Sequence, residues 1–442
     1  MKTNPNPKKF DAVIIGGGSG GYTAAIRIAQ LGGEACIVEK KCLGGVCANT
    51  GCIPTKCLIS IAKSFANFKN SEKFGLTAEN ISYDIQKIKS RLERTIKKAV
   101  KGIENLLASN GVEIIKGFGC VNETGKVIVY DNEKKTKVVC ILNAKNIVIA
   151  SGSNPMRPQS IAKNKNIITS EDVFALTDIP KNLVIIGGGY IGLEFASIFN
   201  GLGVNVSVIE KLERILPAEE QEISDELARL MQRTGINIST NTDFSDIDLE
   251  VDKVLLAMGR QPNLNRQELS NLGVIFSENG IKTDLSMRTN VKGVYAIGDV
   301  NGKFLLAYLA SAEGIVAAEN IMGRKQEMNY NNIPNCIFTI PEVASIGKRE
   351  GKSGKFPFIA NGKAFTMGET DGFVKVYVDD GRLVGASIIG VQASSLIAVA
   401  QGLLGKNVEE IKRMIIAHPT LPEAIFEAVL DTEGQAINLL KQ

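Results

Sequence analysis

Tryptophan is absent from the 442 residues, histidine occurs once and cysteine only 8 times. A single imidazole, His418, excludes a multi-histidine metal site and makes its own position informative. Eight cysteines are too sparse for a disulfide scaffold in a chain of this length, and with no signal-like leader most should be free thiols. Long apolar runs are missing too: no segment can span a bilayer, and the start, residues 1–10, is polar and proline-containing without an apolar core. The expectation is a cytoplasmic protein with no membrane contact. Lys and Arg exceed Asp and Glu by only 4, spread along the chain, which gives no footing for nucleic acid.

What is present points to several domains, since one core rarely serves this length. One hexapeptide occurs twice, Val13-Ile-Ile-Gly-Gly-Gly18 and Val184-Ile-Ile-Gly-Gly-Gly189. Each copy ends a β-branched run and opens a helical pattern (22–31 and 191–202), followed by a second short strand (35–38 and 204–209). The pattern is βαβ twice over. Between the copies, 83–107 reads as an amphipathic helix whose basic residues alternate with Ile88, Leu92, Ile96 and Val100. Its ordinary meaning is a solvated basic face. Strands are expected at 112–115, 126–130, 138–142 and 147–150, and a further strand at 254–257 runs into the stop Met258-Gly-Arg-Gln-Pro262. After Val294-Tyr-Ala-Ile-Gly-Asp299 comes a helix at 305–321, then strands from 335 onward, then helices at 393–404 and 408–416 before His418-Pro-Thr420.

Gly16-x-Gly18-x-x-Gly21 lies between a strand and a helix, where glycines allow a tight turn and close approach of a pyrophosphate to helix N–H groups. The pattern alone is equally a plain turn. Glu39, 23 residues past the first glycine and at the end of the next strand, adds a carboxylate placed for ribose hydroxyls. Gly187-x-Gly189-x-x-Gly192 repeats the arrangement, with Glu210 again 23 residues on. Two dinucleotides are implied. An acidic Glu210 repels a 2′-phosphate and favours NAD over NADP, although Lys211 and Arg214 stand close by in sequence.

Cys47 and Cys52 lie in Leu43-Gly-Gly-Val-Cys-Ala-Asn-Thr-Gly-Cys-Ile-Pro-Thr-Lys56, expected as a loop leading into a helix. Two sulfurs so placed can form a redox-labile disulfide, with a cation and a helix N-terminus stabilising thiolate. Cys42, Cys47, Cys52 and Cys57 recur at every fifth residue, which raises a metal site as the alternative; that even spacing fits neither zinc nor iron–sulfur patterns.

This segment resembles the disulfide motif of the class I pyridine nucleotide–disulfide oxidoreductases, in particular the branch that oxidises dihydrolipoyl groups. The resemblance spans nearly the whole chain: the first glycine turn, the cysteine pair, Ser151-Gly152, Gly187 to Glu194, Gly259-Arg260, Gly298-Asp299 and His418-Pro-Thr420 fall in the family's order. It implies an α/β fold of two Rossmann-like dinucleotide-binding domains, for FAD (1–150) and NAD (151–265), with a central part (266–333) completing the FAD site and a C-terminal α+β dimerisation domain (334–442).

Carried over residue by residue, the resemblance makes Cys52 the thiolate facing the flavin and Cys47 the outer thiol that exchanges with substrate. Lys56 and Glu194 become an ion pair beside the flavin, and Asp299 a partner of its ribityl chain. Gly119, Gly152, Leu306 and Ala307 join the FAD site, and Gly259 the NAD site. His418 becomes the catalytic base, oriented by Glu423, and comes from the second subunit of a homodimer. An imidazole suits that task because its pKa lies near neutrality. The implied reaction is oxidation of protein-bound dihydrolipoyl groups by NAD. The lipoyl group is expected on another protein, of a 2-oxoacid dehydrogenase complex or a glycine-cleavage system.

Some positions depart from the family pattern. Val46 stands where threonine is common, and Ile416 and Tyr308 replace common histidines. The stretches 235–254 and 347–356 are short. Two rivals remain: a glutathione-type disulfide reductase, against which Glu210 argues, and a non-catalytic dinucleotide-sensing scaffold, against which the Cys47, Cys52, His418 and Glu423 set argues. A mercuric reductase would need cysteines after Cys336, and none follows.

Overall fold

The computed structural model describes residues 9–158, 164–244 and 251–440. Residues 1–8 of the polar start and 245–250 of the shortened stretch 235–254 lie outside the described residues.

The first glycine-rich unit forms as expected. Strand Lys9–Ile15 pairs in parallel with Ala35–Glu39, and the helix Ser19–Gln30 (α1) crosses between them. Alternate strand residues such as Ile14 and Ile37 are buried on one face, and Val13 and Cys36 on the other, so both faces of the sheet are covered. Strand Glu113–Lys116 extends this sheet beyond Ala35–Glu39. On the other side lies one continuous strand, Val138–Ile149, where the sequence had indicated two. The polar stretch Asn143-Ala-Lys-Asn146 looked like a break; instead Asn143 and Asn146 stand in register with Lys9 and Ala12, and the same strand pairs antiparallel with Lys126–Tyr130. Phe118–Glu123, not anticipated, forms the far edge. Val294–Ala296 joins from much later in the chain, in parallel beside Ile147–Ile149.

The cysteine segment is helical almost throughout. Gly45–Asn49 (α2) contains Cys47, and Cys52 is the first residue of Cys52–Lys69 (α3). Cys47 therefore sits in a helical turn rather than in the expected loop. The long amphipathic helix Ile85–Ser109 (α4), with Asp84 capping its N-terminus, packs on α3 through Ile88 and Leu92 and also lies against α2.

A second parallel sheet takes the order Asn237–Ser239, Asn205–Ile209, Asn182–Ile186, Lys253–Leu256, Ile167–Thr169. The helices Tyr190–Gly201 (α5) and Gln221–Arg233 (α6) belong to it. The two crossings between the sheets run side by side, Ser153–Pro155 pairing antiparallel with Arg260–Pro262. The glycine-proline stop is thus a short paired strand. After Arg266–Asn271 (α7), the helix Ala307–Ile321 (α8) packs on α1. A third, antiparallel sheet (335–390) carries the C-terminal helices over its own core. There the helix expected over 408–416 ends at Lys412, because the apolar residues that follow find no face in this chain: Ile415 is fully exposed.

Candidate functional site

Both glycine turns are built for a ligand that the protein's own packing does not replace. Gly16 and Gly187 have φ of +109° and +113°, and a Cβ there would lie 2.3 Å from the Ala150 carbonyl oxygen and 2.4 Å from that of Ala257, so only glycine closes these turns. Gly18 and Gly189, the N-caps of α1 and α5, differ: a Cβ would meet nothing nearer than Gly45 Cα at 4.0 Å in the first case, and nothing within 4 Å in the second. Neither helix has a side-chain cap. Open space above uncapped helix N–H groups is what a pyrophosphate needs. Gly21 and Gly192 follow one turn inside the two helices.

The two acidic residues occupy equivalent positions. Glu39 accepts the Gly17 N–H at 2.7 Å and the Lys41 N–H at 2.7 Å; Glu210 accepts those of Gly188 at 2.6 Å and Leu212 at 2.8 Å. Each carboxylate braces its own glycine turn and so is held where ribose hydroxyls would meet it. The two basic neighbours that complicated the choice of nucleotide are engaged elsewhere. Arg214 donates to the carbonyls of Pro217 and Glu219 and to the Ser224 hydroxyl, and Lys211 pairs with Asp243 at 3.0 Å. A 2′-phosphate would meet Glu210 with both neighbouring cations already engaged.

Cys47, Cys52, Lys56 and Glu194 come together as expected. Helices α3 and α5 cross closely enough that a Cβ on Gly201 would lie 3.1 Å from that of Ala62. One end of this crossing brings the Lys56 ammonium to the Glu194 carboxylate at 2.8 and 3.0 Å. Glu194 is buried and also accepts the Phe338 N–H at 3.0 Å, while Lys56 lies 4.4 Å from the centre of the Phe338 ring. The C-terminal sheet is thereby fastened to the ion pair.

Cys47 and Cys52 are both thiols in this structure. The two share a hydrogen bond. That bond, then the Ser19 hydroxyl and Lys56, outweigh burial and draw Cys47 down to about 7; the same bond, then burial and the charge on Cys47, push Cys52 far up. The pair therefore carries one negative charge near neutral pH, and the proton between the sulfurs decides which of them bears it.

Ser19, which bonds Cys47 from α1, and Tyr22, whose pKa is raised by burial and then by the charge of Cys47, were not singled out in the sequence because they occupy the unconstrained positions in and after the glycine pattern. Tyr190 is a third such residue. It opens α5, and burial raises its pKa, with Asp299 adding to the rise.

Asp299 sits in the turn Gly298–Asn301 at the foot of the strand Val294–Ala296. The Ser153 hydroxyl donates to it at 2.5 Å; Arg260 donates in turn to the Ser153 hydroxyl and carbonyl and to Glu171, each at 2.8 Å. This chain of bonds ties Asp299 to both strands that cross between the sheets. From the other side, fully buried Glu313 accepts the Gly298 N–H at 2.6 Å, Asn301 at 2.8 Å and the Tyr330 hydroxyl at 2.7 Å. Leu306 and Ala307 are the N-cap and first residue of α8. Gly152 and Gly259 turn the two crossings with φ of +72° and +112°, and Gly119 lies in the edge strand over Ile15 and Val38. Of the departures, Tyr308 bonds the Pro334 carbonyl with its hydroxyl, and Val46 is 36% exposed.

His418 and Glu423 form a separate pair. Glu423 opens the helix Glu423–Asp431, and its carboxylate meets His418 Nδ1 at 2.8 Å and accepts the Thr420 N–H. Burial would raise its pKa, but these two bonds hold it below the ordinary value, as the helix N-terminus also favours. With Nδ1 engaged, Nε2 is the free nitrogen. The His418 side chain is 75% exposed, and among the described residues no hydrogen bond or ion pair joins it to either thiol of the same chain. No described helix is long and apolar enough to cross a membrane.

Comparison with known proteins places this geometry. A family profile described as pyridine nucleotide-disulphide oxidoreductase matches residues 10–314, and that of the same family's dimerisation domain matches residues 333–429. The chain is 37% identical to a dihydrolipoyl dehydrogenase of Bacillus subtilis, covering 98% of this chain and 99% of that one. It is 38% identical to a dihydrolipoyl dehydrogenase of Zymomonas mobilis, with 97% and 99% covered. Among solved structures, LpdA of Mycobacterium tuberculosis superposes with a TM-score of 0.86 at 22% identity over 95% of this chain and 98% of that one. The HOCl-induced flavoprotein disulfide reductase RclA of Escherichia coli superposes with a TM-score of 0.83 at 24% identity, covering 95% and 99%; at such identities these two likenesses concern the fold.

Proposed function

The chain belongs to the pyridine nucleotide-disulphide oxidoreductases, and on that footing we propose that it oxidises protein-bound dihydrolipoyl groups to lipoyl groups, with FAD as resident cofactor, NAD as acceptor and a homodimer as the working unit. The observation that carries this is the hydrogen-bonded thiol pair, one sulfur of which is drawn down to about 7 beside the Lys56–Glu194 ion pair. The names of full-length relatives supply the dithiol.

Gly16, Gly18, Gly21, Glu39, Gly119, Gly152, Asp299, Leu306 and Ala307 would hold FAD, with the Lys56–Glu194 ion pair beside the flavin, and Gly187, Gly189, Gly192, Glu210 and Gly259 would hold NAD. Bound there, the two cofactors supply electron acceptors in series beyond Cys52. The chain divides accordingly at 150, 265 and 333.

In the oxidised protein Cys47 and Cys52 are joined. His418 Nε2 takes a proton from the incoming dithiol, and the thiolate so formed attacks Cys47 Sγ. The Cys47–Cys52 bond breaks, and Cys52 leaves as a thiolate facing Lys56. The second substrate thiolate then attacks the sulfur bound to Cys47, closing the product disulfide and freeing Cys47. Two electrons have passed from dithiol to cysteine pair; of the two protons released, one comes to rest between Cys47 and Cys52, leaving the pair with one negative charge, and the other passes through His418 to solvent.

His418 of the partner subunit supplies the base. In support, His418 stands exposed with no bond to the thiols of its own chain, Ile415 beside it is bare, and the dimerisation profile covers this part of the chain. The lipoyl group arrives on a carrier of a 2-oxoacid dehydrogenase complex or a glycine-cleavage system.

The purified protein should be yellow with bound flavin. It should reduce NAD with dihydrolipoamide far faster than NADP, and should leave glutathione disulfide untouched with either reduced nucleotide. A flavin-free preparation, or glutathione disulfide turned over with NADPH in preference, would refute the proposal.

A further inference from the structure

The long helix α4 takes no part in the chemistry above, yet its charge is unusual. It holds seven basic residues and two acidic ones, so this one helix carries more net positive charge than the whole chain, whose surplus is 4. Ile88, Leu92 and Leu107 are buried against the fold. On the outer side Lys87, Arg91, Arg94, Lys98 and Lys101 follow at steps of four, three, four and three residues, the spacing that lines up one side of a helix, and all are exposed. At 1.5 Å per residue this row is about 21 Å long. Lys101 pairs with Glu104 at 3.0 Å and Lys87 lies 3.9 Å from Asp84, whereas among the described residues Arg91, Arg94 and Lys98 have no carboxylate partner. Like charges at these spacings destabilise a helix, so α4 is not charged for its own sake.

The place of the row gives it a meaning. Helix α4 lies against α2, which contains Cys47: a Cβ on Gly44 would come 2.9 Å from Ile103 Cδ1. It also lies against α3, where the Thr95 hydroxyl is 3.8 Å from Cys57 Sγ, five residues past Cys52. The helix that carries the basic row thus lies beside the segment that carries the thiol pair. The row is far longer than a lipoyl group and has the dimensions of a protein contact. Outside this helix the chain has no net positive surplus.

We propose that Lys87, Arg91, Arg94, Lys98 and Lys101 form the docking ridge for the protein that carries the dithiol, a carrier domain with an acidic face, and steer its lipoyl arm to Cys47. This rests on the dithiol function above. Steering of this kind raises association rates and fades as salt shortens the range of the field.

The test uses the flavin-loaded full-length protein with two substrates: free dihydrolipoamide, and a dihydrolipoylated carrier domain in which Asp and Glu outnumber Lys and Arg. The triple variant Arg91→Glu, Arg94→Glu, Lys98→Glu should lower kcat/KM for the carrier about tenfold or more at low salt, and leave free dihydrolipoamide within about twofold. Salt at about 0.3 M should bring the unmodified protein down toward the variant. The corresponding triple Gln variant should fall between the two, and serves if charge reversal harms folding. Parallel loss on both substrates, no loss on the carrier, or a shift in dimer dissociation in place of carrier turnover would each overturn the ridge, the last by assigning it to a second copy. Competition by nucleic acid or anionic vesicles, with carrier turnover insensitive to the substitutions, would overturn it as well. Failure of the unmodified protein to oxidise free dihydrolipoamide would instead overturn the dithiol function itself.

Discussion

The two glycine-rich units are nearly the same structure used for different ends. Each starts from Val-Ile-Ile-Gly-Gly-Gly, turns at a glycine that no other residue could replace, and is braced by a glutamate that accepts two backbone N–H groups. What surrounds them differs. The first is followed by α2 and α3 with the cysteine pair, and its own helix brings the Ser19 hydroxyl to Cys47. The second has no such insertion; its helix contributes Tyr190 at the start and, one turn on, Glu194, which anchors Lys56. The repeated parts grip a nucleotide, and the unrepeated parts carry the chemistry.

That division is broken most severely at the sulfurs. Cys47→Ser and Cys52→Ser should each abolish dihydrolipoamide-dependent NAD reduction while the visible flavin spectrum persists; loss of flavin in both would show that the cysteines serve the grip instead. His418→Gln comes next, with a fall in turnover of about 10²- to 10⁴-fold, the usual worth of general acid–base catalysis, and unchanged flavin content. Steady-state rates near those of the unmodified protein would remove His418 from the mechanism.

Paired glycine substitutions separate the two units. Gly16→Ala and Gly187→Ala each impose strain of about 1–3 kcal/mol on their turn. The first should yield protein short of flavin, and the second should keep its flavin but raise the KM for NAD about tenfold or more; identical outcomes by absorbance and kinetics would contradict separate roles. Glu210→Gln, with Arg214 and Lys211 already engaged, should narrow the preference for NADH over NADPH by about tenfold, whereas Glu39→Gln should leave that ratio alone.

The smallest effect concerns charge on the thiols. Lys56 helps to lower the Cys47 pKa, so alkylation of the reduced protein should rise with pH through a midpoint near 7, and Lys56→Gln should move that midpoint upward. An unmoved midpoint would assign the lowering to Ser19 and Cys52 alone.

Much of this was legible in the sequence because it is local. The glycine turns, Glu39 and Glu210, the cysteine spacing and His-Pro-Thr-Leu-Pro-Glu423 each lie within one short segment, and strand and helix periods fixed their setting. What escaped was long-range or lay in unconstrained positions. The Ser153 hydroxyl meets Asp299 across 146 residues, and Arg260 reaches Glu171 across 89, through a pairing of two three-residue strands that no periodicity reveals. Val138–Ile149 was split because Asn143 and Asn146 are polar, although their backbone is paired. The helix expected to run to residue 416 followed an apolar pattern that the chain's own core does not use.

The most direct test labels the cysteines with iodoacetamide before and after one equivalent of dihydrolipoamide, without NAD, and maps the labelled peptides. Cys47 should be unlabelled in the oxidised protein and become the most rapidly labelled cysteine after the dithiol is added. Label on Cys47 before any reductant, or none on Cys47 afterwards, would contradict an electron path that runs through this pair.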